Sequence, residues 1–310
     1  MLFEDIYENE LVWEGTSELE GTRIDKFLSD QFEGISRTQI QQWIKDGHVS
    51  VNSHSVKVNY KVQGKDQIKL LAPSPTELEI KAESIPLDVV YEDKHLIVVN
   101  KSRGMVVHPA PGNYSGTLVN ALLAHCKDLS GINGVLRPGI VHRIDKNTSG
   151  LLVSAKDDAT HAGLSEQLKD HTVHRKYIAV VHGKLSHLQG TVDAPIGRDP
   201  KDRKCYTVTN KNSKRAVTHF VVLEQFKNYA LIELRLETGR THQIRVHMKF
   251  IGHHIVGDPT YGRNKGISME GQALHAAELG FVHPITGEQL MFTAPIPEDM
   301  SNVLDKVKSQ

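Results

Sequence analysis

A polar segment enclosed by two apolar ones constrains the fold of this chain more than any other feature. Residues 139–153 read G-I-V-H-R-I-D-K-N-T-S-G-L-L-V. The apolar pair Ile140 and Val141 precedes the polar cluster, and the apolar run Leu151–Val153 follows it. Turn-forming residues between two apolar runs are typical of two strands joined by a tight loop. We therefore predict a strand, a polar loop and a second strand here.

A single carboxylate lies in this loop. Asp145 has Arg143 and Lys146 beside it and His142 close by. Neighbouring positive charge favours the ionised form of a carboxyl group, which suits a nucleophile or a base better than a general acid. The alternative is an aspartate that accepts hydrogen bonds from loop amides, which is the commoner role of an aspartate in a turn. The local sequence leaves both interpretations open.

The overall charge does not indicate a nucleic-acid-binding protein. Lys plus Arg and Asp plus Glu both number 37 in 310 residues, so the formal net charge is zero. Any nucleic-acid-binding face must then be a local concentration of positive charge. The first residues lack the basic and apolar regions of a signal peptide, and no apolar run is long enough to span a bilayer. We expect a cytoplasmic protein without membrane contact.

No metal-binding pattern stands out. The two cysteines lie far apart and outside any C-x-x-C motif, so neither a disulfide framework nor a zinc ribbon is indicated. The 18 histidines include no H-E-x-x-H motif. His242 with His247, and His253 with His254, are close in sequence, but we do not expect them to bind a metal.

The hydrophobic spacing divides the chain. Between residues 21 and 75, apolar residues at helical spacing precede short alternating segments, which predicts a compact module of two short helices and a small hairpin. The proline-containing segment Ala72–Thr76 then reads as a linker. We predict a lead-in over 1–20, a small domain over 21–75 and a larger domain over 76–310.

The larger domain contains many strands and few long helices. This pattern favours the α+β class, with a largely antiparallel sheet. The residues after about 190 are polar and read as an exposed hairpin region up to about 215. The spacing predicts strands over Leu87–Asp93, Leu96–Lys101 and Val173–Val181, and helices over Thr117–Leu123 and Ala159–Leu168.

The polar loop also carries a family signature. Residues 142–150 read H-R-I-D-x-x-T-S-G, which resembles the H-R-L-D-x-x-T-S-G motif of the RluA/RluD-type RNA pseudouridine synthases. Ile144 replaces the usual Leu, and Asn147 replaces a frequent Asp. Residues 86–101 are similar to the opening of that family's catalytic domain. The resemblance implies that Asp145 is the catalytic aspartate of uridine-to-pseudouridine isomerisation, which requires no cofactor and no metal.

Three further motifs match the same family, namely R-K-Y at 175–177, T-G-R-T-H-Q-I-R-V-H at 238–247 and G-D-P-x-Y-G at 257–262. By motif position, Tyr177 stacks on the target base and Arg245 pairs with the catalytic aspartate. Without the resemblance, Tyr177 would be assigned to the core and Arg245 to a surface ion pair.

The family motifs also imply residues that bind the substrate. Arg143 could occupy the gap left by an extruded uridine. The alternative for the residues near 240 is the polar first turn of a helix, whose free amides can also bind phosphate. We expect Gly257, Asp258 and Gly262 only to shape a turn. The expected substrate-binding residues are His142, Arg143, Arg240, His242 and Gln243.

The small domain resembles the S4 domain, an RNA-binding module. The resemblance rests on R-I-D-K-F-L, S-R-T-Q-I-Q-Q-W-I and D-G-H-V-x-V-N between residues 23 and 52. It implies that Arg23, Arg37, Lys45 and His48 face RNA phosphate. The alternative is a small interaction domain with solvated charges, because acidic and basic residues are nearly balanced here.

The resemblances together predict an S4-like domain followed by a synthase domain, built on a mostly antiparallel mixed sheet with flanking helices and a central cleft. The expected partner is large-subunit ribosomal RNA, and the expected state is a monomer. Two alternatives remain. One is a non-catalytic RNA-binding factor of ribosome assembly, and the other is a hydrolase that uses Ser149 with His142, although no G-x-S-x-G motif is present.

Overall fold

The chain divides into two compact units, Met1–Leu78 and Glu79–Gln310. No helix among the described residues is long and apolar enough to cross a membrane. The linker prolines Pro73 and Pro75, and Ser36 of the second S4-like motif, lie outside the described residues. The computed structural model describes residues 11–32, 37–72, 80–109, 113–126, 138–202, 204–262 and 266–310.

The amino-terminal unit is a four-stranded antiparallel sheet with two helices. Its elements are β1 (Leu11–Glu14), α1 (Ile24–Asp30), α2 (Arg37–Lys45), β2 (Val49–Val51), β3 (His54–Ser55) and β4 (Gln67–Leu70). The strand order is β1-β4-β2-β3. The strand β1 lies within the segment that we separated as a lead-in, and it pairs along its whole length with β4.

Helical spacing of apolar residues builds the core of this unit. Ile40, Trp43 and Ile44 lie at the i, i+3 and i+4 positions of α2, and all three are buried. They pack in one cluster with Phe27 and Leu28 of α1 and with residues of β2 and β4. The two predicted helices are therefore present, and each buries the face that its spacing predicted.

The larger unit is built around one extended sheet. Its helices are α3 (Leu118–His125), α4 (Asp158–Lys169), α5 (Gln243–Phe250) and α6 (Glu298–Lys308). Its strands are β5 (Val89–Glu92), β6 (Leu96–Lys101), β7 (Ser149–Ala155), β8 (His174–His182), β9 (Gln189–Asp193), β10 (Ile196–Arg198), β11 (Tyr206–Val208), β12 (Ser213–Lys214), β13 (Val217–Gln225), β14 (Tyr229–Leu236), β15 (Leu274–Val282) and β16 (Gln289–Thr293).

Among the described residues the main sheet has nine strands in the order β5-β6-β7-β15-β8-β14-β13-β9, with β16 paired to β15. The pairing of β7 with β15 is parallel, and the other pairings of this sheet are antiparallel. This is the mostly antiparallel mixed sheet of the expected α+β fold.

The central strand β7 buries both of its faces. Leu152 belongs to an apolar cluster that includes residues of α3, α5 and α6. Leu151 and Val153 belong to a second cluster, with Leu164 of α4. Successive side chains of a strand point to opposite faces of the sheet, so one short apolar run contributes to two cores.

A glycine allows the closest approach within the sheet. Gly150 has a φ of +113°, and a Cβ atom there would lie 2.3 Å from the carbonyl oxygen of Ala276 in β15. Only a residue without a side chain fits between the start of β7 and its parallel neighbour. The chain preceding Gly150 is thereby fixed at the start of β15.

The first strand that we predicted in the 139–153 segment is wrong. Ile140 forms an isolated bridge with Ser154 instead of a strand, and residues 141–148 form a loop. The backbone N–H of Val153 donates to Nε2 of His142 at 3.1 Å, so a side chain fills a position that a neighbouring strand could occupy. The second predicted strand is present as β7.

The segment 190–215 is also more divided than the exposed hairpin region that we expected. The strand β9 joins the main sheet by pairing with β13. The strands β10, β11 and β12 form a separate small antiparallel sheet in the order β11-β10-β12.

Candidate active site

A cavity of about 520 Å³ opens in the larger unit. Its walls come from residues 141–148, here called the aspartate loop, from the end of α4, from β8 and from the segment 236–245. Pockets for small ligands range over roughly 300–1,000 Å³, so one extruded nucleotide fits the space. The cavity brings together all eight site residues predicted in this unit, namely Asp145, Tyr177, Arg245, His142, Arg143, Arg240, His242 and Gln243.

The carboxylate of Asp145 is only partly occupied by protein partners. Its Oδ2 accepts one hydrogen bond from Nη1 of Arg245 at 2.9 Å. Its Oδ1 lies 3.9 Å from Nε2 of His242, and its side chain is 21% exposed. A carboxylate offers about four acceptor positions, so most of the acceptor capacity of Asp145 remains directed at the cavity.

The guanidinium of Arg245 is shared between two aspartates. Arg245 lies in the first turn of α5, and its side chain is buried. Its Nε and Nη2 donate to the two oxygens of Asp258 at 2.7 and 2.9 Å, while Nη1 donates to Asp145. Although burial acts to lower it, the pKa of Arg245 is raised because both carboxylates stabilise the cation. The arginine is thus a fixed positive charge beside Asp145.

Asp258 is a site residue that the sequence analysis missed. Its side chain is 1% exposed, and it also accepts hydrogen bonds from the N–H groups of Thr260 and Tyr261, both at 2.9 Å. Burial favours its neutral form, but the hydrogen bonds and charge of Arg245 lower its pKa. We expected only a turn from G-D-P-x-Y-G. One signal for a role of Asp258 is that an arginine in a dry pocket needs more hydrogen-bond partners than one exposed aspartate supplies.

Tyr177 projects into the cavity from β8. Its side chain is largely buried, between the neighbouring strands β14 and β15. Burial raises the pKa of its hydroxyl, Arg175 acts to lower that pKa, and the charge of Asp145 acts to raise it. The phenol therefore keeps its proton at neutral pH and presents an aromatic ring to the cavity.

His142 lines the cavity as a neutral ring. Burial lowers its pKa to about 3, and the charge of Arg175 adds to this effect. Its Nε2 accepts the hydrogen bond from the backbone of Val153 that was described above. This contact ties the start of the aspartate loop to β7. Arg143, the next residue, is exposed at the cavity.

Gln243 and Arg240 close the turn that leads into α5. The Oε1 of Gln243 accepts from the hydroxyl of Thr238 at 2.8 Å and from the backbone N–H of Arg240 at 2.9 Å. Its Nε2 donates to the carbonyl of Val217 and to Thr218. The polar atoms of Gln243 are thus occupied, whereas the half-buried side chain of Arg240 donates to one carbonyl, that of Arg215.

His242 adopts a left-handed conformation, with a φ of 56°, just before α5. Its Nδ1 is hydrogen-bonded to the hydroxyl of Tyr261 at 2.8 Å. Burial lowers its pKa, while Asp145 acts to raise it. The ring therefore faces Asp145 mainly in its neutral form.

Arg175 is a second residue that we did not anticipate. It lines the cavity from β8, and its Nε is buried without a hydrogen-bond partner among the described residues. A Cβ atom at Gly239 would lie 2.9 Å from its Nη1, so the turn before α5 passes directly over the guanidinium. Arg175 adds positive charge to the same wall as Tyr177.

The family assignment follows from sequence comparison. A family model described as RNA pseudouridylate synthase matches residues 95–250, which include the aspartate loop, Tyr177 and Arg245. An RNA pseudouridine synthase of Bacillus subtilis strain 168, named YlyB and described as uncharacterized, is 58% identical over 97% of this chain and 99% of its own length. The chain belongs to the RNA pseudouridylate synthase family. It is an enzyme that isomerises uridine to pseudouridine in RNA.

Other relatives of the synthase agree. The ribosomal large subunit pseudouridine synthase D of Zymomonas mobilis is 51% identical over 92% of this chain and 93% of its own length. Among solved structures, human RNA pseudouridylate synthase domain containing 1 matches with a TM-score of 0.58 and 23% identity, over 74% of this chain and 97% of that one. The structural match supports the fold.

The amino-terminal unit of the synthase contains an S4 domain, whose family model matches residues 22–68. Two of its predicted phosphate-binding residues, Arg23 and Arg37, each donate two hydrogen bonds to the carboxylate of Asp25. The side chains of both arginines are 45% exposed, whereas Asp25 is fully buried. Lys45 is exposed, and His48 is half-buried.

A group of three potential metal ligands lies outside the cavity of the synthase. The side chains of Glu92, His125 and Cys126 bring their ligand atoms within 4.8 Å of one another. Nε2 of His125 is hydrogen-bonded to one oxygen of Glu92 at 2.8 Å, and Lys156 donates to the other. Burial raises the pKa of the Cys126 thiol, which disfavours the thiolate that a metal would need. This ion-pair network accounts for the cluster without a metal.

Proposed function

We propose that Asp145 is the catalytic carboxylate of the synthase and that Arg245 and Tyr177 act with it on an extruded uridine. The observation that carries this proposal is the position of Asp145. It faces a nucleotide-sized cavity, and one hydrogen bond from a buried arginine holds its carboxylate. A charge-assisted bond of this kind keeps a carboxylate ionised and oriented.

The reaction rearranges bonds without net change in composition. The C1′–N1 bond breaks, the uracil turns, a C1′–C5 bond forms, and a proton leaves C5 while N1 gains one. Product and substrate are isomers, so neither an oxidant nor an external energy source is needed. Attack of a carboxylate on C1′ of the ribose, attack on C6 of the uracil, and elimination to a glycal all require an ionised carboxylate beside the target nucleoside, and Asp145 supplies one.

Tyr177 has two proposed roles. Its ring provides a stacking surface for a base taken out of the RNA, as enzymes that act on extruded bases require. Its hydroxyl, which burial keeps protonated, is a candidate proton carrier beside the sugar.

The Tyr177 proposal predicts graded losses. Tyr177→Phe should lower the single-turnover rate about 10²-fold or more if the hydroxyl carries a proton. Tyr177→Ala should lose further activity, because base stacking contributes about 1–3 kcal/mol. Tyr91→Phe is a matched control, since its hydroxyl binds Asp93 outside the cavity. If both Tyr177 variants turn over normally, the tyrosine is only a core residue and our placement of the base is wrong.

The predicted substrate-binding residues separate into two groups. Arg143, Arg240 and His242 have polar groups at the cavity, and we propose that they contact the target nucleotide or its neighbours. One ring nitrogen of His142 accepts from the backbone of Val153, and both amide atoms of Gln243 bind the backbone and neighbouring side chains. For these two we propose that the effect on substrate binding comes through the shape of the cavity.

We propose that the RNA substrate is large-subunit ribosomal RNA and that the S4 domain helps to hold it. The relative from Zymomonas mobilis is named as a ribosomal large subunit synthase. Lys45 and His48, with the remaining N–H groups of Arg23 and Arg37, are the proposed phosphate contacts. The cytoplasmic location follows only if this target is correct, and the monomeric state stays a prediction.

The test of the target is a map of pseudouridines in ribosomal RNA from cells that lack the gene. We expect the loss of one or more sites in the large-subunit RNA, with recovery on expression of the wild-type chain but not of Asp145→Asn. Retention of every site would mean that the enzyme modifies another RNA.

The hydrolase alternative is disfavoured by the geometry. The hydroxyl of Ser149 is buried and hydrogen-bonded to Nδ1 of His275 at 2.9 Å, whereas His142 accepts a backbone hydrogen bond. The catalytic pair Ser149–His142 is therefore not formed. The non-catalytic RNA-binding factor is disfavoured by a cavity that contains Asp145, Tyr177 and Arg245 together.

A further inference from the structure

The cavity of the synthase is cationic, although the formal net charge of the chain is zero. Among the described residues that line it, Asp145 is the single carboxylate. Positive charge is thus concentrated where RNA phosphates would lie. The function proposed above leaves Lys169 and Arg175 without a role. The lining cations are Arg143, Lys169, Arg175, Arg240 and Arg245.

Arg175 is a cation without an acceptor from the protein. It lies in β8 two residues before Tyr177, so both side chains project from the cavity side of the strand. Its buried Nε has no hydrogen-bond partner among the described residues. Its charge adds to the burial that lowers the pKa of His142. A partly buried cation is costly unless it is paired, which points to an acceptor that a ligand supplies.

The other face of β8 contains cations that are paired within the protein. His174 and Lys176, the two neighbours of Arg175, both form ion pairs with Glu278 of β15. Lys176 also lies 3.5 Å from an oxygen of Glu233 in β14. The strand therefore satisfies its cations on the face away from the cavity, and the contrast with Arg175 is confined to the cavity face.

The turn that joins α4 to β8 forms the adjacent part of the same wall. His171 has a φ of 60°, a left-handed conformation that favours glycine. The N–H of Thr172 donates to the carbonyl of Gln167 at 3.0 Å, which closes the helix end as in a Schellman motif. A position that glycine usually occupies thus carries an exposed imidazole that lines the cavity. A side chain kept at a strained position indicates a role beyond ending the helix.

Lys169 lies in the last turn of α4, where it is exposed and lines the cavity. A lysine near the carboxyl-terminal end of a helix is favourable because of the helix dipole. The dipole explains the charge of this residue but not its place at the cavity. With His171 and Arg175 it gives one wall three nitrogen-bearing side chains in a short stretch of chain.

We propose that Arg175, Lys169 and His171 form a phosphate-binding site on the α4–β8 wall, and that this site holds the RNA backbone next to the extruded uridine. Residues i and i+2 of a strand lie about 7 Å apart, a spacing that one ribose can bridge between a base stacked on Tyr177 and its phosphate. A guanidinium suits two phosphate oxygens, and an ammonium adds a point charge. The proposal rests on the assignment of the cavity to the target nucleotide.

The test neutralises the phosphate and the protein cation separately and together. The probe is a synthetic RNA hairpin centred on a uridine located by the pseudouridine map. Two further hairpins each carry one neutral methylphosphonate, on the 5′ or the 3′ side of that uridine. One of these substitutions should weaken binding by the wild type about tenfold, because a charge-assisted contact is lost.

Arg175→Met should bind the unmodified hairpin about tenfold more weakly than wild type, and the same methylphosphonate should weaken it by less than about threefold more. Its rate at saturating RNA should stay within about fivefold of wild type, with rates divided by the folded fraction. The slope of log affinity against log salt should become less steep by about 0.7. Lys169→Met should show a smaller loss of the same kind. Lys306→Met, exposed on α6 outside the cavity, is the control and should match the wild type.

His171→Gly separates binding from structural support. Glycine relieves the left-handed strain, so the melting temperature should stay unchanged or rise, while RNA binding should weaken about two- to fivefold. Asn212→Gly is the matched control, because Asn212 is also exposed and left-handed, with a φ of 47°, but does not line the cavity. It should leave RNA binding unchanged.

Three results would overturn the proposal. The first is wild-type affinity for Arg175→Met, and the second is a loss that the folded fraction fully explains. The third is an equal methylphosphonate effect in wild type and Arg175→Met, which would mean that Arg175 contacts the base instead. Asp145→Asn is measured on the same hairpins and should keep the wild-type methylphosphonate effect. If Asp145→Asn stays active, the proposed catalytic role fails, whatever the binding results.

Discussion

Asp25 in the S4 domain and Asp145 in the synthase domain both bind arginine, but they differ in how much of each carboxylate is occupied. Asp25 is fully buried and accepts five hydrogen bonds, two each from Arg23 and Arg37 and one from Gln41. Asp145 is partly exposed to the cavity and, among the described residues, accepts one, from Arg245. The first carboxylate has no acceptor position left for a ligand, whereas the second has several.

This difference separates an aspartate that stabilises a fold from one that is available for chemistry. Asp258 belongs with Asp25, because it is buried and accepts four hydrogen bonds, two of them from Arg245. In the active site Arg245 therefore bridges two carboxylates, Asp258, whose acceptor positions are filled, and Asp145, which has open positions. Asp258 fixes the guanidinium, and the guanidinium orients Asp145.

The largest combined effect on stability and rate is expected when this shared arginine is removed. Arg245→Met leaves Asp258 as a buried charge without its partner, which should lower the free energy of unfolding by about 3–5 kcal/mol. The single-turnover rate should fall at least about 10²-fold, because Asp145 loses its orienting contact. Chemical denaturation and rate measurements under single-turnover conditions check both effects.

A double variant separates the two consequences. Arg245→Met/Asp258→Asn removes the buried charge together with its partner, so it should recover part of the lost stability without recovering activity. Arg235→Met serves as a control, since the side chain of Arg235 is exposed and Glu233 keeps Lys176 as a partner, so the lost pair should cost at most about 1 kcal/mol. Recovery of activity by the double variant would contradict the view that Arg245 acts on Asp145.

Asp25→Asn should destabilise its domain without slowing the chemical step. The amide places donors against the guanidinium groups of Arg23 and Arg37, so the S4 domain should lose about 3 kcal/mol of stability. The rate of the chemical step at saturating RNA should remain near that of wild type. Both tryptophans of the chain, Trp13 and Trp43, lie in this unit, so tryptophan fluorescence follows its unfolding alone.

Asp30→Asn, exposed on the same helix, is the matched control for Asp25→Asn and should be neutral. A loss of chemical rate in fully folded Asp25→Asn protein would mean that Asp25 contributes to the reaction and that the comparison with Asp145 is wrong.

The smallest of these effects is a difference in acid sensitivity. Burial lowers the pKa of four histidines in the synthase domain. At pH values between each lowered pKa and about 6.5, the unfolded chain therefore binds protons that the folded domain does not bind. Stability of the domain should fall as the pH drops below about 6.5. The four residues are His142, His242, His247 and His275.

In the S4 domain the corresponding group is Asp25, whose pKa is lowered by the hydrogen bonds of Arg23, Arg37 and Gln41 in spite of burial. Its contribution is complete above about pH 4 and is lost only as the pH falls further. Tryptophan fluorescence should therefore stay constant at pH values where circular dichroism and activity already show loss of the synthase domain. Simultaneous transitions, or an earlier one in fluorescence, would contradict this.

Much of the architecture was predictable because it depends on local patterns. The predicted helices near 117–123 and 159–168 are present as α3 and α4, and each begins after a side chain that accepts a backbone N–H, Thr117 and Asp157. The regular apolar spacing and these capping residues are both visible in the sequence.

The errors arose where a distant side chain replaced a backbone contact. Residues 140–141 carry the apolar pattern of a strand, but His142 takes the amide of Val153. Asp258 was assigned to a turn because its partner Arg245 lies 13 residues away and on a helix. Such contacts follow from the packed fold and not from local sequence.

The most direct test of the account is the single-turnover rate of Asp145→Asn, measured beside its melting temperature and RNA affinity. Because the carboxylate is largely unoccupied by protein partners, an amide of the same size should leave stability and affinity nearly unchanged. The rate should fall at least about 1,000-fold, which corresponds to about 4 kcal/mol of barrier. A rate within about tenfold of wild type, roughly 1.4 kcal/mol, would show that Asp145 is not the catalytic group.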